Sequence, residues 1–122
     1  MKISILLPYK ENFSPAYAGA VSLFINDTLR ISKYKRNTTV YGNTEYRDKF
    51  KLKYINIPHQ KVFFQSQSKK YVDKFVKLEK KRNSDLIELH NRPIYLTYLT
   101  NKLKNKTYIL YFHNDPLTMS GS

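Results

Sequence analysis

Five short apolar runs, separated by segments of helical period, constrain this chain more than any other feature. The first, Ile3-Ser4-Ile5-Leu6-Leu7, is almost continuously aliphatic and is closed by Pro8, the pattern of a central strand buried on both faces. Thr38-Thr39-Val40-Tyr41 and Tyr54-Ile55-Asn56-Ile57 are β-branched and aromatic, and Gly42-Asn43 and Pro58 stop them, as expected of strands two and three. Asp85–His90 and Thr107–Phe112 complete the set.

Between these runs the period changes to that of helices. From about Ala16 an apolar stripe is expected through Ala20, Leu23, Phe24, Asp27, Thr28 and Ile31, ending at Tyr34-Lys35-Arg36-Asn37. Ser68–Arg82 is a second helix, with Tyr71, Val72, Phe75 and Leu78 on one side and lysines 69, 70, 74, 77, 80 and 81 over the remainder. Pro93 suits the first turn of a third helix, where its missing N–H is no loss, and Lys104-Asn105-Lys106 closes it. Strands alternating with helices imply right-handed crossovers. The expected fold is an α/β, Rossmann-like, doubly wound parallel sheet of five strands in the order 3-2-1-4-5.

Composition excludes several classes of protein. Cysteine is absent, which removes disulfides and thiolate metal sites and fits a cytoplasmic protein. The opening apolar run is far shorter than the ~20 residues that span a bilayer. His59, His90 and His113 lack the spacing of a zinc site. The sequence contains neither G-x-G-x-x-G, nor a P-loop, nor a G-x-S-x-G elbow. The net charge of +13 suits nucleic acid, an anionic membrane surface or phosphorylated substrates, and equally suits a compositional bias toward lysine, asparagine, isoleucine and tyrosine.

In an open α/β sheet, ligands bind beyond the carboxyl ends of the strands where the strand order reverses. Three loops face that crevice: residues 8–19, 90–93 and 113–116. In the first, Ala18 and Gly19 would let helix N–H groups approach a phosphate or sugar hydroxyl, or would simply permit close packing. In the second, Arg92 offers a partner for an anion; Asn91 either joins it in binding or caps the helix that Pro93 opens. His90 there reads as a satisfied core histidine. In the third, His113 emerges from a hydrophobic strand as the candidate catalytic residue, beside Asn114 and Asp115 as candidate substrate contacts; the bland alternative is an Asn-Asp-Pro turn.

Taken in order, Lys2–Pro8, the small-residue loop opening the first helix, Asp85–Pro93 and Tyr111-Phe112-His113-Asn114-Asp115-Pro116 resemble the N-terminal domain of family 4 glycosyltransferases, the retaining two-domain GT-B enzymes. The resemblance covers residues 1–122 as one acceptor-side domain. It implies a nucleotide-sugar donor held mainly by a second Rossmann-like domain, a glycan or glycolipid acceptor, no cofactor or metal, and a role for His113 at the donor sugar. It also implies donor-phosphate contact at Ala18 and Gly19, where many members carry Gly-Gly. Leu117–Ser122 stands where such a domain would continue into another helix and strand, so a truncated domain, inactive alone, is expected. Members that build surface glycans use basic faces on anionic membranes, a role open to the lysine-covered helix. The competing reading is a basic nucleic-acid-binding module; a receiver domain lacks its acidic pair, since Pro8-Tyr9-Lys10 follows the first strand.

Overall fold

The computed structural model describes residues 1–59 and 66–113. Their elements run β1 (Ile3–Leu6), α1 (Ala20–Leu29), a single 3₁₀ turn (Lys35–Asn37), β2 (Thr38–Gly42), β3 (Tyr54–Asn56), α2 (Gln67–Arg82), β4 (Leu86–His90), α3 (Pro93–Lys102) and β5 (Thr107–Tyr111). The five strands form one sheet in the order β3-β2-β1-β4-β5, and every pair in it is parallel. This is the Rossmann-like α/β arrangement expected from the alternation of periods. Residues 43–53, between β2 and β3, contain no helix.

Strand alternation divides the apolar side chains between two cores. Leu6, Tyr41, Ile87 and Leu89 face Tyr71, Val72, Phe75 and Val76 of α2 and Tyr95 and Leu99 of α3. On the opposite face Ile3, Ile5, Leu7 and Val40 meet Val21, Ile25 and Leu29 of α1, with Phe13 from the loop. A fully buried side chain of this size contributes about 1.5–3 kcal/mol, so β1, buried along its whole length, anchors both layers.

Helix α1 corrects the expected stripe. It begins at Ala20, not Ala16, and buries Val21, Ser22, Ile25 and Leu29. Leu23 and Phe24 are exposed, and Ile31 lies beyond the helix and is 88% exposed. The row at i, i+4 and i+8 through Val21, Ile25 and Leu29 is wholly aliphatic, whereas the expected row carried Asp27 and Thr28. Among the described residues α1 is the helix on its face of the sheet, and it leaves Ile109 and Tyr111 of β5 exposed.

A buried polar cluster locks α2 to the amino ends of β1 and β2. The Glu79 carboxylate is fully buried; it accepts hydrogen bonds from Ser4 Oγ at 2.6 Å, from Tyr41 OH at 3.3 Å and from Ser84 Oγ. Arg82 lies 4.0 Å from it and donates to Ser4 Oγ, Ile3 O and Asn37 O. Burial, and then the neighbouring Glu79, push the Tyr41 phenol up to about 12. Asn83 then ends α2 in the left-handed conformation, its N–H bonded to Glu79 O. Replacing Glu79 by alanine takes the buried acceptor from the hydroxyls of Ser4, Tyr41 and Ser84, at about 1–3 kcal/mol for each group left unsatisfied, and a loss of about 3–5 kcal/mol is expected. Urea denaturation of Glu79→Ala checks this; a loss below about 1 kcal/mol, the worth of an exposed pair, would contradict it.

Candidate functional site

Strand order reverses between β1 and β4, and the loops leaving these strands and β5 meet at their carboxyl ends. The loop after β1 is tightly held. Tyr71 OH donates to Leu7 O at 2.6 Å, and Tyr95 OH accepts from Tyr9 N at 3.0 Å. Lys10 adopts a left-handed φ of 69°, and the turn places Glu11 against the amino end of α1.

Glu11 is the first residue that the sequence did not single out. Its Oε2 accepts the Ser22 backbone N–H at 3.1 Å, while the helix has no side-chain cap at Gly19 and no acidic residue in its first turn. An anion at this end of a helix meets free N–H groups and the positive end of the dipole. A Cβ on residue 19 would collide with the Glu11 carboxylate, so Gly19 admits the chain's own anion. Ala18 and Gly19 therefore border an anion position that Glu11 occupies, and an external phosphate would compete with it.

At the end of β4, Asn91 has a left-handed φ of 54° and is buried. Its N–H donates to Tyr111 O at 2.9 Å, and its Oδ1 accepts the His113 N–H at 2.7 Å. Arg92, not Asn91, takes the N-cap position of α3, and its guanidinium donates to Asn91 O at 2.8 Å. Asn91 thus acts as a clamp on the His113 backbone. Asn114 and Asp115 lie outside the described residues.

His113 continues a hydrogen-bonded chain that starts inside the sheet. Glu88 Oε2 lies 2.7 Å from His90 Nε2, and His90 Nδ1 lies 2.8 Å from His113 Nε2. His90 is 1% exposed and stacks on Tyr111, with centroids 5.0 Å apart and ring planes 6° apart. Phe24 of α1 closes edge-on against His113 at 5.0 Å. Glu88 and His90 share a strand face because they are two residues apart.

The donors and acceptors fix the tautomers. A carboxylate only accepts, so the hydrogen of a neutral His90 sits on Nε2. Its Nδ1 lone pair then accepts from His113 Nε2–H, which leaves a lone pair on His113 Nδ1. Burial, and then His90, lower the His113 pKa below the usual histidine value, against opposing pulls from Glu11 and Glu88. The neutral, accepting form is favoured at neutral pH. Glu88, followed by burial, raises the Tyr111 phenol, in keeping with a carboxylate that faces the stacked rings.

No family model, curated protein or solved structure matches this chain. Among the described residues no three of His, Asp and Glu are grouped to hold a metal ion, and no helix is long and apolar enough to cross a membrane.

The structure brings His113, Asn91 and the Gly19 helix end into one crevice and adds Glu11, Glu88, His90 and Phe24. The i, i+2 spacing of Glu88 and His90 was the signal available for the relay; nothing local marks Glu11. Nitrogen-15 NMR of the histidine rings checks the tautomer. At pH 7.5, His113 should show a protonated Nε2, a bare Nδ1 and a titration midpoint below that of a free histidine near 6.5. Because folding favours the neutral ring, its stabilising contribution is complete above that value and is lost as the pH falls. A His113 hydrogen on Nδ1 would contradict the relay.

Proposed function

We propose that this chain is the acceptor-side Rossmann-like domain of a nucleotide-sugar-dependent glycosyltransferase of the retaining GT-B kind. The observation that carries the reading is the Glu88–His90–His113 chain of hydrogen bonds, at 2.7 and 2.8 Å. It ends on a histidine beside the α1 helix end, at the reversal of strand order.

In this reading the His113 Nδ1 lone pair accepts a hydrogen bond from a hydroxyl of the transferred sugar. Charge that develops on the sugar in the transition state is steadied through His90 by the Glu88 carboxylate. Glu11 holds the α1 helix end until the donor's phosphate approaches. The remaining donor contacts come from a second Rossmann-like domain. The acceptor is a glycan or glycolipid.

The nucleic-acid alternative draws on one feature. Lys70, Lys74, Lys77 and Lys80 of α2, with Lys102 of α3, surround a shallow groove of about 300 Å³. Asp73 sits in the same groove and pairs with Lys69 at 3.3 Å. The tyrosines of the core under α2 and α3, Tyr41, Tyr71 and Tyr95, are buried and unavailable for base stacking. The same lysines are the surface on which contact with an anionic membrane would rest.

A polypeptide or complex that joins this domain to a donor-binding domain provides the test. His113→Ala is expected to lower kcat by about 10²–10³-fold, the size of effect seen when one preorganised hydrogen-bond partner of a developing charge is lost, with nucleotide affinity unchanged. His90→Phe, which breaks the relay but leaves His113, should lower kcat less and shift the acid limb of its pH profile. Wild-type turnover in His113→Ala would contradict the assignment.

A further inference from the structure

Beside the crevice, at the carboxyl ends of β2 and β3, lies an open pocket of about 530 Å³ with Lys10, Asn12, Asn43, Glu45, Asn56 and His59 in its lining. The volume falls in the ~300–1,000 Å³ range of small-molecule sites.

Three asparagine side chains in the wall are each fixed by one half of the amide. Asn12 Oδ1 accepts Glu45 N at 3.2 Å, and Asn43 Nδ2 donates to Ile57 O at 2.9 Å. Asn56 Oδ1 accepts Thr44 N at 2.7 Å and Tyr54 OH at 2.9 Å. The other halves are two NH₂ donors, on Asn12 and Asn56, and one carbonyl acceptor, on Asn43; they have no partner among the described residues. Amides held by the backbone in this way lose little rotamer freedom when a ligand arrives. His59 adds a flat ring, its Nδ1 2.6 Å from Tyr9 OH and its plane stacked on Tyr9.

Charge narrows the ligand. The chain carries +13, yet Lys10 and Glu45 supply one positive and one negative charge to this lining. A polyanion would meet Glu45 and would find denser positive charge along α2. Adjacent donors and acceptors with little net charge suit hydroxyl groups, which donate and accept at once.

We propose that this pocket binds a neutral saccharide and that, in the transferase, it holds the acceptor glycan. The acceptor role rests on the glycosyl-transfer reading; the affinity for sugar does not.

Nitrogen-15 spectra of the chain Met1–Ser122, titrated with the methyl glycosides of glucose, galactose and mannose and with inorganic phosphate, test the proposal. At least one glycoside should give saturable shifts at Lys10, Asn12, Thr44, Glu45, Asn56 and His59, and phosphate should not displace it. Loss of one ligand hydrogen bond in Asn12→Ala should weaken binding about tenfold. Glu45→Gln, whose side chain makes no hydrogen bond among the described residues, should weaken it similarly without disturbing the fold. Absence of saturable shifts for all three glycosides, shifts confined to other surfaces, or unchanged affinity in both variants would overturn the pocket. Saccharide binding here alongside wild-type turnover in His113→Ala would support the pocket and remove the transferase reading.

Discussion

Strand β1 is hydrogen-bonded to β2 on one side and β4 on the other, with both faces buried, and the rest of the structure depends on that placement. A parallel strand cannot be reached by a tight turn, so each neighbour requires a crossover, and right-handed crossovers put α1 on one face and α2 and α3 on the other. Two consequences follow from the same geometry. Ile3, Ile5 and Leu7 serve one core while Leu6 serves the other, so a slip of one residue would put the wrong side chains in both. The chain also leaves β1 in one direction and returns beside it as β4 from the other, which opens the crevice at their carboxyl ends.

The polar groups of the molecule are distributed along that axis. At the amino ends of the strands, Glu79 and Arg82 satisfy buried hydroxyls and carbonyls. At the carboxyl ends satisfaction is partial: a helix end is held by Glu11 alone, the His113 lone pair has no partner among the described residues, and three amides are half used. Closed networks specify a fold, whereas open ones at a concave edge are where ligands bind. The two ends of the sheet therefore differ in hydrogen-bond satisfaction as well as in topology.

Much of this was legible in the residues. Ile3–Leu7 reads as a doubly buried strand, and the strand covers Ile3–Leu6 with Leu7 buried just beyond it; the parallel order 3-2-1-4-5 is the one expected. The α1 face was misread because Leu23, Phe24 and Ile31 resemble a core stripe, whereas Phe24 packs on the crevice rings and Ile31 meets solvent. His113 was placed by its position after a hydrophobic strand. His90 reads as a satisfied core histidine and is buried, but its bridge to His113 depends on a pairing across two strands that spacing within one strand cannot display. Asn91 was expected to cap a helix or touch a ligand; its left-handed backbone instead turns the amide toward the His113 N–H. Glu11 depends on how a left-handed Lys10 redirects the loop, which local pattern does not encode.

The proposed functional surface is the open end of the sheet, not the lysine face of α2. That assignment is tested most directly by adding a nucleotide sugar, and separately a short oligonucleotide, to the isotope-labelled chain at low salt. The nucleotide sugar is expected to move the resonances of Glu11, Ser22 and His113 as its phosphate displaces the Glu11 carboxylate, while the α2 lysines stay still. Shifts confined to Lys70, Lys74, Lys77 and Lys80, larger with the oligonucleotide and abolished by salt, would contradict it.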